Sequence, residues 1–283
     1  DVTIDGGTTA LVLAASTIDG DLTVINGNSI TDSGTVTVGG SLVATTDANN
    51  GLINLDTLAV NRRVQLTTNG SGNATVVNDA GLTFSVSTVG GNLSATATTG
   101  NIKDNGKLTI AGTSSFITSA NNADITLNNT NAFTGAVALN TTGSTGDATI
   151  DNGTTALILA TSSVGGDLRL TSGNTSGITD SGTITVGGNL AATTDANNGL
   201  INMDTLTVDG TVALTTNGSG NATIDNGTTA LNIAASSVGG NLTLTSGNAS
   251  GITDSGTVTV GGNLAATTDA NNGVIDLDQT AVT

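Results

Sequence analysis

Ala148-Thr149-Ile150-Asp151-Asn152-Gly153-Thr154-Thr155-Ala156-Leu157 recurs residue for residue as Ala222 to Leu231, an offset of 74 residues. Val2-Thr3-Ile4-Asp5 opens a first copy in the same register, and Ala74-Thr75-Val76-Val77 opens a more divergent second copy. The chain is therefore read as one solenoid over 1–283 with repeats 1–73, 74–147, 148–221 and 222–283, the last one shortened. A shorter rhythm runs inside each repeat. Gly165-Gly166-Asp167-Leu168, Gly187-Gly188-Asn189-Leu190, Asp209-Gly210-Thr211-Val212 and Gly239-Gly240 follow one another at spacings of 22, 22 and 30. Each interval is read as one coil.

A coil divides into three short strands. Residues 241–246, 251–254 and 256–260 make one coil; residues 263–268, 269–272 and 273–278 make the next. Gly/Asn/Ser-rich corners such as Gly247-Asn248-Ala249-Ser250 lie between strands and supply the positive φ angles of tight bends. Alternation places Leu242, Leu244, Ile252, Val258, Val260, Leu264, Ile275 and Leu277 inside, with Thr243, Thr245, Thr257 and Thr259 outside. The 30-residue coil holds Val212, Leu214, Ile224, Leu231 and Ile233 inside and is expected to bulge at Asp225-Asn226-Gly227-Thr228. The fold class is thus all-β, a parallel β-helix with three strands per coil, three coils per repeat and about eleven coils, stacked at about 4.8 Å. Right-handed crossovers between parallel strands make a right-handed triangular helix the expectation.

Composition agrees. There are three Phe (Phe84, Phe116, Phe133), one Met and no Trp or Tyr, so a broad aromatic core is ruled out, whereas Ala, Val, Ile and Leu are spread evenly. Periodic β-branched residues argue against disorder despite a net charge of −17. All 22 acidic residues are Asp, which suits turns, and with 40 Gly little is left for helices. With no Cys, no His and five basic residues (Arg62, Arg63, Lys103, Lys107, Arg169), most metal, thiol and imidazole chemistry is excluded, and no basic patch for nucleic acid is expected. No signal peptide or membrane span is visible, and the sequence starts and stops inside a repeat, so a longer parent chain is expected.

Ile178-Thr-Asp-Ser-Gly-Thr-Ile-Thr-Val-Gly-Gly-Asn-Leu190 and Ala123-Asp-Ile-Thr-Leu-Asn-Asn-Thr-Asn-Ala-Phe-Thr-Gly-Ala-Val-Ala-Leu139 resemble the repeat regions of large bacterial filamentous-haemagglutinin-like exoproteins, and the resemblance runs over the whole chain. It implies a right-handed β-helical stalk of a secreted surface adhesin or matrix filament, exported unfolded through an outer-membrane partner. The amino-terminal secretion domain of that family is not among these residues.

Every candidate site competes with plain turn chemistry. Asp195, Asp204 and Asp209, and the equivalent Asp269, Asp276 and Asp278, offer carboxylates that could hold calcium; the Gly-Gly-x-Gly-x-Asp nonapeptide of calcium-loaded β-rolls does not occur, and ordinary turns are the favoured reading. Asp276-Leu277-Asp278 could pair carboxylates for glycoside cleavage, but there is no Tyr or Trp to stack on sugar, so no enzymatic activity and no cofactor are expected. A carbohydrate-binding or carbohydrate-cleaving β-helix, with its site around Phe84, Lys103, Lys107 and Phe116 of the divergent second copy, is the runner-up. Outward Thr35/Thr37, Thr183/Thr185, Thr205/Thr207 and Thr257/Thr259 raise ice binding, against which stands the expected interruption of the Thr face by the long coil. Asn73, Asn221 and Asn241 match a glycosylation acceptor pattern that chance readily produces in so Asn- and Thr-rich a chain. Arg62-Arg63 is expected to pair with Asp on adjacent coils. The leading expectation is a structural or adhesive shaft, secreted or on the cell surface, whose partners are copies of itself, further repeats, an exporter and cell-surface or glycan ligands. The long coil is the expected place for lateral contact.

Overall fold

Parallel strands account for the whole architecture of the computed structural model, which describes residues 1–270 and 272–283, and the backbone alone at 48 and 49. The corner expected at 269–272 includes Asn271, which lies outside the described residues. Among the described residues there is no helix, and hence none long and apolar enough to cross a membrane. The chain forms two compact units, 1–142 and 143–283, each a parallel β-solenoid.

In the second unit, Ala148–Asp151 pairs with Leu168–Ser172, which pairs with Leu190–Asn197 and then Thr211–Asn217, in one sheet. The opposite sheet carries two short strands per turn: Leu157–Leu159 and Ser162–Val164, then Ile178–Asp180 and Ile184–Val186, then Ile201–Met203 and Leu206–Val208. One long strand facing two short ones gives the three strands per coil read from the sequence. The first unit repeats the pattern, from Val2–Asp5 through Leu22–Asn26 and Leu42–Asn49 to Val64–Asn69.

Stacked residues lie 19 to 23 positions apart, as in Ala74↔Leu93 and Ile102↔Ile125, and the chain makes about thirteen turns rather than eleven. The difference lies in the 30-residue interval. Thr211–Asn217 is followed by Ala222–Asp225 in the opposite sheet, on Ile201–Met203; the chain then returns to Leu231–Ile233 and Ser236–Val238, stacked on Thr211–Asn217. Thirty residues thus complete a turn and a half, and the expected bulge at 225–228 is a crossing from one sheet to the other. A repeat therefore contains three and a half turns, not three. Within each unit its equivalent strands fall on opposite sheets: Val2–Asp5 against Ala74–Asn78, and Ala148–Asp151 against Ala222–Asp225.

This half-turn offset forces a continuous strand to meet a split one, and side chains fill the gaps. Among the described residues no strand stacks on the far side of Leu206–Val208, because Ala222–Asp225 covers only Ile201–Met203. Asn226, fully buried, supplies a substitute: its Oδ1 accepts the Val208 N–H at 2.8 Å and its amide nitrogen donates to the Val208 carbonyl at 3.0 Å and the Ala230 carbonyl at 2.9 Å. Asn78 does the same for Val60, at 2.7 and 3.0 Å. On the other sheet Leu214 N–H points at the break between two short strands, where Ser236 Oγ accepts it at 3.0 Å and donates to the Ala234 carbonyl; Ser87 serves Leu66 identically.

Inward side chains stack in columns such as Leu22, Leu42 and Val64, all buried; each such burial contributes about 1.5–3 kcal/mol. Leu242, Leu244, Ile252, Val258, Val260, Val212, Leu214, Ile224, Leu231 and Ile233 are buried as expected. Ile275 is not, at 48% exposed, and Leu264 and Leu277 are half-buried, because among the described residues no turn stacks on theirs from the far side. Phe84, Phe116 and Phe133 fill the core of the second repeat edge to face, with ring centroids 6.4 and 5.6 Å apart.

Two substitutions test this packing by denaturant unfolding. Asn226→Ala strands the Val208 amide and carbonyl and is expected to cost at least about 2 kcal/mol, whereas the outward Thr243→Ala is expected to change stability by less than about 0.5 kcal/mol. Equal effects would contradict the backbone-bridging role of Asn226. Phe116→Ala is expected to cost about 3–5 kcal/mol; a loss below about 1 kcal/mol would show that the Phe cluster is not the core of its repeat.

Candidate functional surface

Many Gly-marked corners place an Asp or Asn where its side chain can serve the next turn. Asp147 Oδ1 accepts the Asp167 N–H at 2.8 Å, Asp167 Oδ1 accepts the Asn189 N–H at 2.7 Å, and Asn189 Oδ1 accepts the Thr211 N–H at 2.9 Å. The ladder recurs as Asn221 to Asn241 to Asn263, and in the first unit as Asp1 to Asp21 to Ser41 and Asn73 to Asn92 to Thr113. Gly188 is required in this stack, since a Cβ there would collide with the Gly166 backbone and the Asp167 carboxylate one turn below. The three Asn of the glycosylation pattern, Asn73, Asn221 and Asn241, are rungs of these ladders. The signal was present in the sequence: Asp147, Asp167, Asn189 and Thr211 recur at the turn length, directly after the glycines.

A second set of Asp caps the opposite corners. Asp180 accepts the Thr205 N–H at 3.0 Å and its hydroxyl at 2.6 Å, and Asp32 holds Thr57 in the same way. Asp104, buried, accepts from the backbones of Asn128 and Asn129 and the side chains of Asn129 and Asn131.

The calcium candidates occupy separate places. Asp195 lies within the long strand Leu190–Asn197, Asp204 sits on the corner capped by Asp180, and Asp209 follows Leu206–Val208; Asp269, Asp276 and Asp278 are dispersed likewise, and all six are exposed. None belongs to a group of three acidic residues able to hold a metal among the described residues. The residues of the carbohydrate reading are also separated: Phe84 and Phe116 are fully buried, while Lys103 and Lys107 are exposed.

The outward Thr face is more continuous than the sequence reading allowed. Thr171, Thr193, Thr215, Ser237 and Thr259 stack on five consecutive turns and run straight through the half-turn offset. The column is one residue wide, flanked by Thr149, Arg169, Ala191 and Ala213.

Basic residues gather. Arg62, Arg63, Lys103 and Lys107 are all exposed in the first unit, and Arg62 and Arg63 line an open depression of about 490 Å³ together with Ser41, Thr83 and Asn105. The expected pairing of Arg62 and Arg63 with Asp on adjacent turns does not occur among the described residues. Their turn stacks on Ser41 and Thr83, positions without a carboxylate.

The ladder predicts a simple asymmetry. Asp167→Asn retains the acceptor and is expected to leave the melting temperature unchanged, whereas Asp167→Ala lowers it; equal behaviour in a thermal melt would count against the ladder. Saturating calcium is expected to leave both melts in place, since a ligand stabilises only through a site it occupies. A rise in melting temperature on adding calcium would overturn the reading of these Asp as turn residues.

Four segments, 1–70, 71–140, 145–215 and 219–282, match the family model described as repeats of unknown function (DUF5649). No curated protein and no solved structure matches the chain. Nearly every residue lies within one of those segments, and the chain belongs to the DUF5649 repeat family.

Proposed function

We propose that the chain is the structural and adhesive shaft of a secreted bacterial surface or extracellular-matrix filament, exported through an outer-membrane partner and able to associate with copies of itself. The observation that carries this reading is the ladder system. Side chains at fixed intervals answer the backbone of the next turn, so turns can be added with the same chemistry, and chemistry is spread along the solenoid rather than gathered in a cleft. An acidic, Cys-free composition is compatible with an extracellular setting, and a polar exterior with cell-surface or glycan ligands along its length.

The carbohydrate-cleaving alternative is weakened by the burial of Phe84 and Phe116, which leaves no aromatic platform for a sugar ring. Ice binding keeps one observation in its favour, the five-turn hydroxyl column, and one against it, the column's single-residue width. A thermal-hysteresis assay separates it: no activity and no shaping of ice crystals are expected. Electron microscopy of the full-length product tests the shaft reading, with rods or fibres expected and short globular particles contradicting it.

A further inference from the structure

Four of the five basic residues of a chain with net charge −17 lie on one surface of the first unit. Val64 stacks on Phe84 and Thr83 on Lys103, so Arg63, Thr83 and Lys103 occupy one outward column on successive turns. The two cations stand two turns apart, about 10 Å by the strand spacing. Arg62 lies beside Arg63, both lining the depression, and Lys107 lies two residues along the chain from Asn105, which also lines it.

The second unit carries none of these four cations at the matching positions and one carboxylate, Asp209, where the first unit has Asn61; its Asp167 corresponds to Asp21. Asn61 and Arg62 donate their N–H groups to Val38 and Gly40, as Asp209 and Gly210 donate to Val186 and Gly188, so Asn61-Arg62-Arg63 corresponds to Asp209-Gly210-Thr211. Lys103 and Lys107 correspond to Thr253 and Thr257. Gly210 stacks on Gly188 and Gly188 on Gly166, which sets the exposed Asp167 and Asp209 on one corner edge two turns apart. Both pairs are two turns apart along the solenoid, Arg63 and Lys103 in one column and Asp167 and Asp209 in columns two residues apart.

We propose that the basic cluster Arg62, Arg63, Lys103 and Lys107 docks the Asp167–Asp209 corner edge of a second copy of this chain. The contact deepens the shaft reading and rests on it. It joins two different surfaces, so a single contact leaves each copy with one unused patch, and further copies can add head to tail into a ring or a filament according to the rotation between them. Exposed charge pairs are individually weak and screened by salt, so association is reversible and ionic-strength dependent.

Sedimentation velocity on the full chain over a concentration series tests it. Association is expected at low salt, with the association constant falling at least about tenfold when ionic strength is raised from below to well above about 0.1 M. The variant Arg62→Gly, Arg63→Thr, Lys103→Thr, Lys107→Thr takes the residues that the second unit carries at the same corners, so circular dichroism should be unchanged while association is lost. Asp167→Asn with Asp209→Asn keeps the ladder acceptor and should abolish association from the other side. Arg63→Asp and Asp209→Arg should each weaken it, and the two combined should restore it. A chain that stays monomeric at low salt, or associates independently of salt or of the four cations, overturns the proposal. So does loss of all self-association with retention on heparin, which would make an anionic polymer the occupant. Rods in the electron microscope with no such association would sink this contact and leave the shaft reading standing; globular particles would sink the shaft reading.

Discussion

A strand stacked on a split strand leaves backbone amides and carbonyls with nothing above them, and a buried group in that state costs free energy that a solenoid of small side chains can ill sustain. In this chain Asn226 and Asn78 answer the orphaned Val208 and Val60, and Ser236 and Ser87 answer Leu214 and Leu66. These substitutions allow the split side to change from one sheet to the other without breaking the ladder of turns. The half-turn offsets at 64–89 and 212–238 depend on them.

The consequences reach the surface. With three and a half turns per repeat, equivalent residues appear on opposite sheets of a unit, so a full structural period spans two repeats rather than one. The Thr column from Thr171 to Thr259 passes through the offset because hydroxyl residues from different positions of successive repeats fall into line. The same geometry makes the first and third repeats structural counterparts, which is why Asn61-Arg62-Arg63 and Asp209-Gly210-Thr211 can be compared residue for residue.

Much of this was legible in the residues. Alternation identified the inward columns, glycine pairs marked half of the corners, and self-similarity gave the repeats. The turn count went astray because the corners alternate in kind: Gly-Gly-Asx corners announce themselves, whereas Asp225-Asn226-Gly227-Thr228 carries the same signal whether it bulges within a coil or crosses between sheets. Asn226 could have decided it, since an Asn placed to be buried needs backbone partners. The Phe of the second repeat were misleading in a different way. Large side chains in a polar segment suggested a ligand surface, yet period-2 alternation already pointed Phe84 inward between Leu82 and the next turn. The absence of ion pairs at Arg62 and Arg63 was not legible, because it depends on which residues the turns above and below bring alongside.

That the 30-residue interval holds a turn and a half is the central claim, and it has a direct test in a chain with no cysteine of its own. A turn and a half stacks Thr215 on Ser237, whereas a single 30-residue coil would stack Ala213 on Thr243. Adjacent parallel strands hold Cα atoms about 4.8 Å apart, within reach of a disulfide. Oxidation of Thr215→Cys with Ser237→Cys is predicted to form the intramolecular disulfide, and Ala213→Cys with Thr243→Cys to remain reduced. The reverse outcome would contradict the turn-and-a-half geometry.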